Sequence, residues 1–180
     1  MTKPRQFKKG EVYHIIKRGV GSQEIFKDKQ DYSRCSLELE FCNNQGPIDL
    51  WETITGTNKG ASEAPLAERV EEARNEKGES LTDLLGFALM PTHMHLIVRE
   101  IMNNGISRYM QKLAGYSIYF NDRHDRGGSL FRRYRSVPIE TDEQLQIVFA
   151  YVHTNPISLW EPGWKEFEVE DKEKAIKKLE

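Results

Sequence analysis

Residues 81–100 read LTDLLGFALMPTHMHLIVRE. The first half of this stretch is apolar, Pro91 and Thr92 interrupt it, and the second half alternates between two sets of side chains. This pattern predicts a buried strand that enters a second strand. Because successive side chains of a strand point to opposite faces, we expect His93 and His95 on one face with adjacent rings. The stretch therefore predicts a sheet that presents two imidazoles side by side.

Two neutral imidazoles on a rigid strand are suitable ligands for a metal ion. The same histidines on the exposed face of an edge strand would bind nothing, so the triplet alone leaves both interpretations open. Another short β-rich run, VYHIIK at residues 12–17, carries His14. We interpret His14 as a surface histidine rather than a third imidazole of the site.

Composition indicates one globular domain. A chain of 180 residues is long enough to bury a full core, so we expect a single domain over residues 1–180. No apolar run approaches the roughly 20 residues that cross a bilayer, and MTKPRQFKKG lacks the apolar block of a signal peptide. We therefore expect a cytoplasmic protein. Cys35 and Cys42 would lie about 10 Å apart on one helix, too far for a disulfide, so we expect reduced thiols.

The net charge of −2 conceals a segregation of charge along the chain. Residues 1–18 and 123–135 are basic, whereas a charged insertion near 56–80 and a C-terminal tail near 161–180 are acidic. Such segregation favours a basic surface for a polyanion, although solvated charged faces are an equally good interpretation.

The basic run DRHDRGGSLFRRYRS at residues 122–136 combines arginines, glycines and aromatic residues. Arginine forks suit phosphates, and aromatic rings stack on unpaired bases. By itself the run is also compatible with an ordinary basic loop. The candidate nucleic-acid contacts are Arg18, Arg123, Arg126, Arg132, Arg133, Tyr134 and Arg135.

Residues 141–156, TDEQLQIVFAYVHTNP, predict a helix. Thr141 with Gln144 forms a capping-box pattern, and Pro156 ends the helix. The predicted buried stripe consists of Leu145, Val148, Phe149 and Val152.

On this helix Tyr151 and Asn155 are four residues apart, which places them on one face about one turn from each other. If the helix packs over the strand of His93 and His95, the two histidines and Asn155 could hold a divalent cation beside the phenol. A half-buried core tyrosine and a helix C-cap asparagine are the alternative interpretation.

Four segments together resemble the small single-tyrosine HUH transposases, in particular the branch that includes the REP-associated tyrosine transposases. They occur in the expected order and cover most of the chain. The segments are IIKRGV at 15–20 with its continuation to Tyr32, LMPTHMHLIV at 89–98, GSLFRRYRS at 128–136 and AYVHTNP at 150–156.

The resemblance implies that His93, His95 and Asn155 bind the metal, Mg²⁺ or Mn²⁺, and that Tyr151 is the nucleophile. It also implies an α+β fold of the ferredoxin-like split βαβ kind, with a central antiparallel sheet and helices packed mainly on one face. Thr92 stands where the family usually has asparagine, and we expect little consequence because this position lies outside the ligand set.

The implied function is a metal-dependent single-stranded DNA endonuclease and strand transferase, a transposase that forms a 5′-phosphotyrosine intermediate and recognises DNA hairpins. The resemblance is compatible with a monomer or a homodimer. Two alternatives stay open: a catalytically inactive nucleic-acid-binding module on the same fold, and a metal-dependent phosphodiesterase that uses water.

Overall fold

The computed structural model describes residues 6–46, 65–159 and 161. Within these ranges one antiparallel sheet has the strand order β2-β3-β1-β4. Its strands are β1 (Val12–Arg18), β2 (Thr82–Met90), β3 (His93–Glu100) and β4 (Arg135–Ile139). The helices are α1 (Lys29–Phe41), α2 (Leu66–Asn75), α3 (Gly105–Lys112), α4 (Tyr116–Arg123) and α5 (Asp142–Thr154).

The hairpin of β2 and β3 confirms the two consecutive strands predicted from residues 81–100. The turn between them is anchored, because Gly19 donates its N–H to the carbonyl of Thr92 at 2.9 Å and Ile25 donates to that of Pro91 at 2.7 Å. A bulge between Leu84 and Gly86 shifts the register of β2. These contacts fix where β3 begins, and β3 carries the two histidines.

Each face of the sheet packs against different helices. On one face α1, α3 and α4 cover alternate residues of β1 and β3, with Ile15, Leu96 and Tyr109 in the main cluster. On the other face α5 packs on Ala88 of β2 and Ile97 of β3 through Val152. The chain forms two units, β1-α1-β2 and β3-α3-α4-β4. In each unit the two strands lie on either side of a strand from the other unit, which confirms the predicted α+β split βαβ fold.

The charged segment near 56–80 contains α2, which docks on α1. Val70 is buried against Phe41, and Arg74 pairs with Glu40 at 2.7 Å. Residues 47–64 lie outside the described residues, as does the acidic tail apart from residue 161.

Cys35 and Cys42 are free thiols, as predicted. Burial raises the pKa of Cys35 well above its ordinary value and that of Cys42 to about 12. Across residues 6–46 and 65–159, no helix has the length and apolar character needed to span a membrane.

Candidate active site

His93 and His95 lie on the face of β3 that α5 covers. Their directly paired neighbours are Arg18 and Ile16 on β1 and Met90 and Ala88 on β2. The two imidazole ring centroids are 4.9 Å apart, which confirms that the rings are adjacent on one face. His95 is buried and His93 is half-buried, so the central strand holds both rings in a defined place.

Helix α5 begins where the sequence predicts. Thr141 accepts a hydrogen bond from the Gln144 N–H at 3.2 Å, and Val152 is fully buried on the sheet. Phe149 was expected in the buried stripe, and that expectation is wrong. Because β2 is an edge strand, Phe149 lies at the margin of the sheet, where its ring is 38% exposed and stacks on His153 with centroids 4.3 Å apart.

The helix places Tyr151 over the histidines. The Tyr151 ring meets that of His95 edge-on, with centroids 5.5 Å apart, and 38% of Tyr151 is exposed. Asn155 is one turn further, donates its N–H to the Tyr151 carbonyl and is 95% buried in a 3₁₀ turn that packs against β2. A tyrosine that reaches solvent and a buried carboxamide thus follow one another at the end of this helix.

His93 and His95 each have a polar contact that the local sequence pattern does not predict. His14 is buried, which contradicts its interpretation as a surface residue, and its Nε2 lies 2.8 Å from Nδ1 of His95. The Thr92 hydroxyl oxygen lies 3.0 Å from Nδ1 of His93. Alternation along VYHIIK predicts the face of His14, but only the register of β1 against β3 brings it to His95.

Burial and nearby arginines favour the neutral form of His93 and His14 by lowering their pKa values. Desolvation, assisted by the charge of Arg18, lowers the pKa of His93 to about 4. Desolvation, assisted by Arg135, also lowers the pKa of His14. A neutral imidazole is the form that binds metal.

The donor set fits a divalent ion with open coordination positions. In the described ranges there is no group of three or more His, Cys, Asp or Glu side chains arranged for a metal. The candidate set expected from the sequence is two imidazoles and the Asn155 amide oxygen, a mixture without thiolates that suits Mn²⁺ or Mg²⁺ better than structural zinc.

Exposed arginines border this site on one side. Arg18 is the cross-strand neighbour of His93, and Arg135 is the cross-strand neighbour of Ile16 on the same face of the sheet. The backbone N–H of Arg132 donates to the Arg18 carbonyl at 2.8 Å, which places the loop before β4 beside β1. We call this surface the arginine edge; its members are Arg18, Arg132, Arg133 and Arg135.

The other candidate nucleic-acid residues make contacts within the protein. Arg123 forms ion pairs with Asp28 at 2.7 Å and with the buried Asp31 at 2.6 Å, which join α4 to the start of α1. Arg126 bonds Gln23 and Asn121. Tyr134 packs against the main core cluster. DNA contact by these three residues stays a prediction.

Comparisons with known proteins agree with this architecture. A family model described as IS200-like transposase matches residues 57–155. A solved structure of a REP-associated tyrosine transposase bound to a REP hairpin is 12% identical, covers 89% of this chain and 75% of its own, and has a TM-score of 0.55. A candidate transposase from Deinococcus radiodurans R1 is 15% identical, covers 83% of this chain and 95% of its own, and has a TM-score of 0.42. No curated protein matches the chain.

The family match spans the hairpin of β2 and β3, the arginine edge from Arg132 onward, and α5 to Asn155. It covers more than half of the 180 residues, and the structural likeness confirms the fold. The chain therefore belongs to the IS200-like transposase family.

Proposed function

We propose that this protein is a metal-dependent single-stranded DNA endonuclease and strand transferase in which Tyr151 is the nucleophile. One observation carries the proposal: the partly exposed Tyr151 ring stands edge-on to His95 at 5.5 Å, and the His93 ring lies 4.9 Å beyond. A core tyrosine would not need two imidazoles beneath it. A nucleophile beside a metal site would.

A phosphodiester resists attack because its negative charge repels nucleophiles. His93, His95 and Asn155 would hold a divalent ion, Mg²⁺ or Mn²⁺. When bound, this ion orients the scissile phosphate and offsets the charge that grows in the transition state. The role of the three side chains is to fix its place relative to the Tyr151 hydroxyl.

Tyr151 supplies the new bond to phosphorus. Its oxygen attacks the phosphorus atom, the bond from phosphorus to the 3′ oxygen breaks, and the phenol proton is balanced by the proton that the leaving 3′-hydroxyl gains. The products are a 5′-phosphotyrosine and a free 3′-hydroxyl. Because the phosphate remains an ester, a second 3′-hydroxyl can attack it in reverse, so that strands are joined without ATP.

The arginine edge would bind the DNA backbone next to this site. Its arginines are exposed, and Arg18 and Arg135 lie on the same sheet face as the histidines. Guanidinium groups there would neutralise phosphates on either side of the scissile one. A hairpin beside the cleavage point is part of the proposal, supported by the similar structure that is bound to a REP hairpin. A homodimer stays a prediction that sedimentation of the free protein would decide.

The test is covalent trapping. The protein is incubated with labelled single-stranded DNA that carries the hairpin repeats flanking its own gene, with Mn²⁺ or Mg²⁺, and the products are separated on a denaturing gel. We expect a protein-DNA adduct that requires metal and disappears in Tyr151→Phe. Tyr119→Phe is the matched control, because Tyr119 lies against Asp31, away from the histidines, and should form the adduct normally.

The outcomes separate the competing functions. Binding of the hairpin without any adduct would favour an inactive nucleic-acid-binding module. Cleavage without an adduct would favour a phosphodiesterase that uses water, with Tyr151 as a packing residue.

A further inference from the structure

The two histidines of the candidate metal site each have a polar contact at the same ring nitrogen, Nδ1. Nδ1 of His95 lies 2.8 Å from Nε2 of His14, and Nδ1 of His93 lies 3.0 Å from the hydroxyl oxygen of Thr92. His14 and Thr92 are not ligands in the proposed site. They contact the two histidines that are ligands in the proposed site.

The contact between His14 and His95 has a strict proton requirement. A hydrogen bond between two imidazole nitrogens needs one N–H and one lone pair, and a neutral imidazole carries its proton on a single ring nitrogen. If His95 accepted at Nδ1, its own proton would be on Nε2, which could not then bind a metal. If His95 donates from Nδ1, its Nε2 has a lone pair for the ion.

The same reasoning applies to His93. The Thr92 hydroxyl can accept a hydrogen bond from Nδ1–H, which places the lone pair of His93 on Nε2. Metal-bound histidines almost always donate their second N–H to a carboxylate, a carbonyl or water. Here a second imidazole and a hydroxyl occupy the places of those acceptors.

The position of His14 explains why it reaches His95 and no other ligand. Ile16 is the direct partner of His95 on β1, and His14 is two residues away on the same face. Such diagonal neighbours lie within reach of aromatic side chains. The His14 and His95 rings are nearly parallel, with an interplanar angle of 21° and centroids 5.0 Å apart.

We propose that His14 and Thr92 are positioning residues that hold His95 and His93 in the Nδ1–H tautomer, so that both ligands present Nε2 to the metal. This inference rests on the proposed function, because it concerns the same metal site. It adds two residues to the site, and one of them, Thr92, occupies the position where a departure from the family pattern was expected to matter little.

Matched variants test the proposal through metal affinity. His14→Met removes the acceptor, whereas His14→Gln keeps an amide oxygen on a side chain of nearly the same size. Thr92→Val and Thr92→Ser form the corresponding pair. Mn²⁺ binding is measured by the loss of the electron paramagnetic resonance signal of free Mn²⁺, and thermal unfolding checks that each variant is folded. We expect His14→Met and Thr92→Val to weaken Mn²⁺ binding by about 10- to 100-fold, and the glutamine and serine variants to recover most of the affinity.

The tautomers are measured directly in the metal-free protein. Long-range ¹H–¹⁵N spectra of histidine-labelled protein distinguish Nδ1–H from Nε2–H, and the chain has only five histidines to assign. We expect His95 of the wild-type protein to carry its proton on Nδ1, and the His14→Met variant to lose that preference while His14→Gln keeps it.

Two results would overturn the proposal: a wild-type His95 with its proton on Nε2, or an unchanged Mn²⁺ affinity in both His14→Met and Thr92→Val. If the adduct of Tyr151 still forms in that second case, the proposed function stands without this inference. If instead neither the wild-type protein nor any variant binds Mn²⁺ but the tautomers follow the expected pattern, the positioning contacts are upheld and the metal-dependent function fails.

Discussion

Truncation of Val152 to alanine tests whether the packing of α5 on the sheet positions Tyr151. Val152 is fully buried and contacts Ala88 and Ile97, and it is adjacent to Tyr151 on the helix. The other apolar residues that pack around this contact are only partly buried. The small cluster is therefore the main apolar attachment of α5 to the strand of the histidines.

The cost of the truncation can be worked out from the groups removed. Two methyl groups leave the core, each worth about 0.8 kcal/mol of transfer free energy. The cavity left behind adds to this, so the free energy of unfolding should fall by about 2–3 kcal/mol. A domain of ordinary stability, about 5–15 kcal/mol, stays folded after such a loss. A displacement of the nucleophile by about 1 Å is enough to slow a reaction about 100-fold, so we expect adduct formation to slow by about 10- to 100-fold.

The assay pairs urea unfolding with the rate of covalent adduct formation on a hairpin substrate. Ile147→Ala is the control, since Ile147 lies on the same helix but is 69% exposed. It should change stability by less than about 0.5 kcal/mol and leave the rate unchanged.

Two results would refute the reasoning. If Val152→Ala costs no more stability than the control, the cluster does not hold α5. If it costs 2–3 kcal/mol, as estimated above from the removed methyl groups, yet forms the adduct at the wild-type rate, the attachment of the helix does not position Tyr151.

Three further predictions concern charge and reactivity. Arg135→Ala should lower the salt dependence of hairpin binding by about one unit of slope in an anisotropy titration, whereas Arg74→Ala, on the distant α2, should not; equal slopes would count against the arginine edge. The hydrogen bond from Arg123 lowers the pKa of Asp28 to about 2. The stabilisation that the Asp28 carboxylate contributes is therefore fully present above the pKa of aspartate in the unfolded chain, about 3.9, and is lost as the pH falls through about 2. In urea unfolding the gap between wild type and Asp28→Asn, which keeps the helix cap, should close between these pH values, and a constant gap would contradict the ion pair. Burial raises the pKa of Cys35 well above its usual value, so a thiol reagent at pH 8 should label it only after unfolding, and rapid labelling of the native protein would be the contrary result.

Part of the site could be predicted because it depends on local periodicity. Residues two positions apart on a strand point to the same face of the sheet, so the adjacency of His93 and His95 follows from the alternation alone. Residues four positions apart on a helix lie about one turn from each other on the same face, so the sequence predicts that Tyr151 and Asn155 are neighbours. The residue types then indicated the chemistry, and the resemblance indicated the order of the elements.

The failures have a common cause in packing over long sequence separations. Phe149 fits the apolar stripe of α5, but it lies against Gly86 of the edge strand β2 and stays 38% exposed. Arg123 and Arg126 also have partners within the protein that are far away in the chain, which the basic run does not predict, while their contact with DNA stays a prediction. No local pattern contains the position of those partners.

The sequence by itself determined the faces of the strands and helices, since backbone geometry sets the direction of each side chain relative to its neighbours. Only the tertiary structure decided which of those faces meet. The pairing of β1 with β3 brought His14 to His95 across 81 positions. Strand register depends on the packing of the whole core, because a shift of one residue would turn every side chain of the strand to the other face.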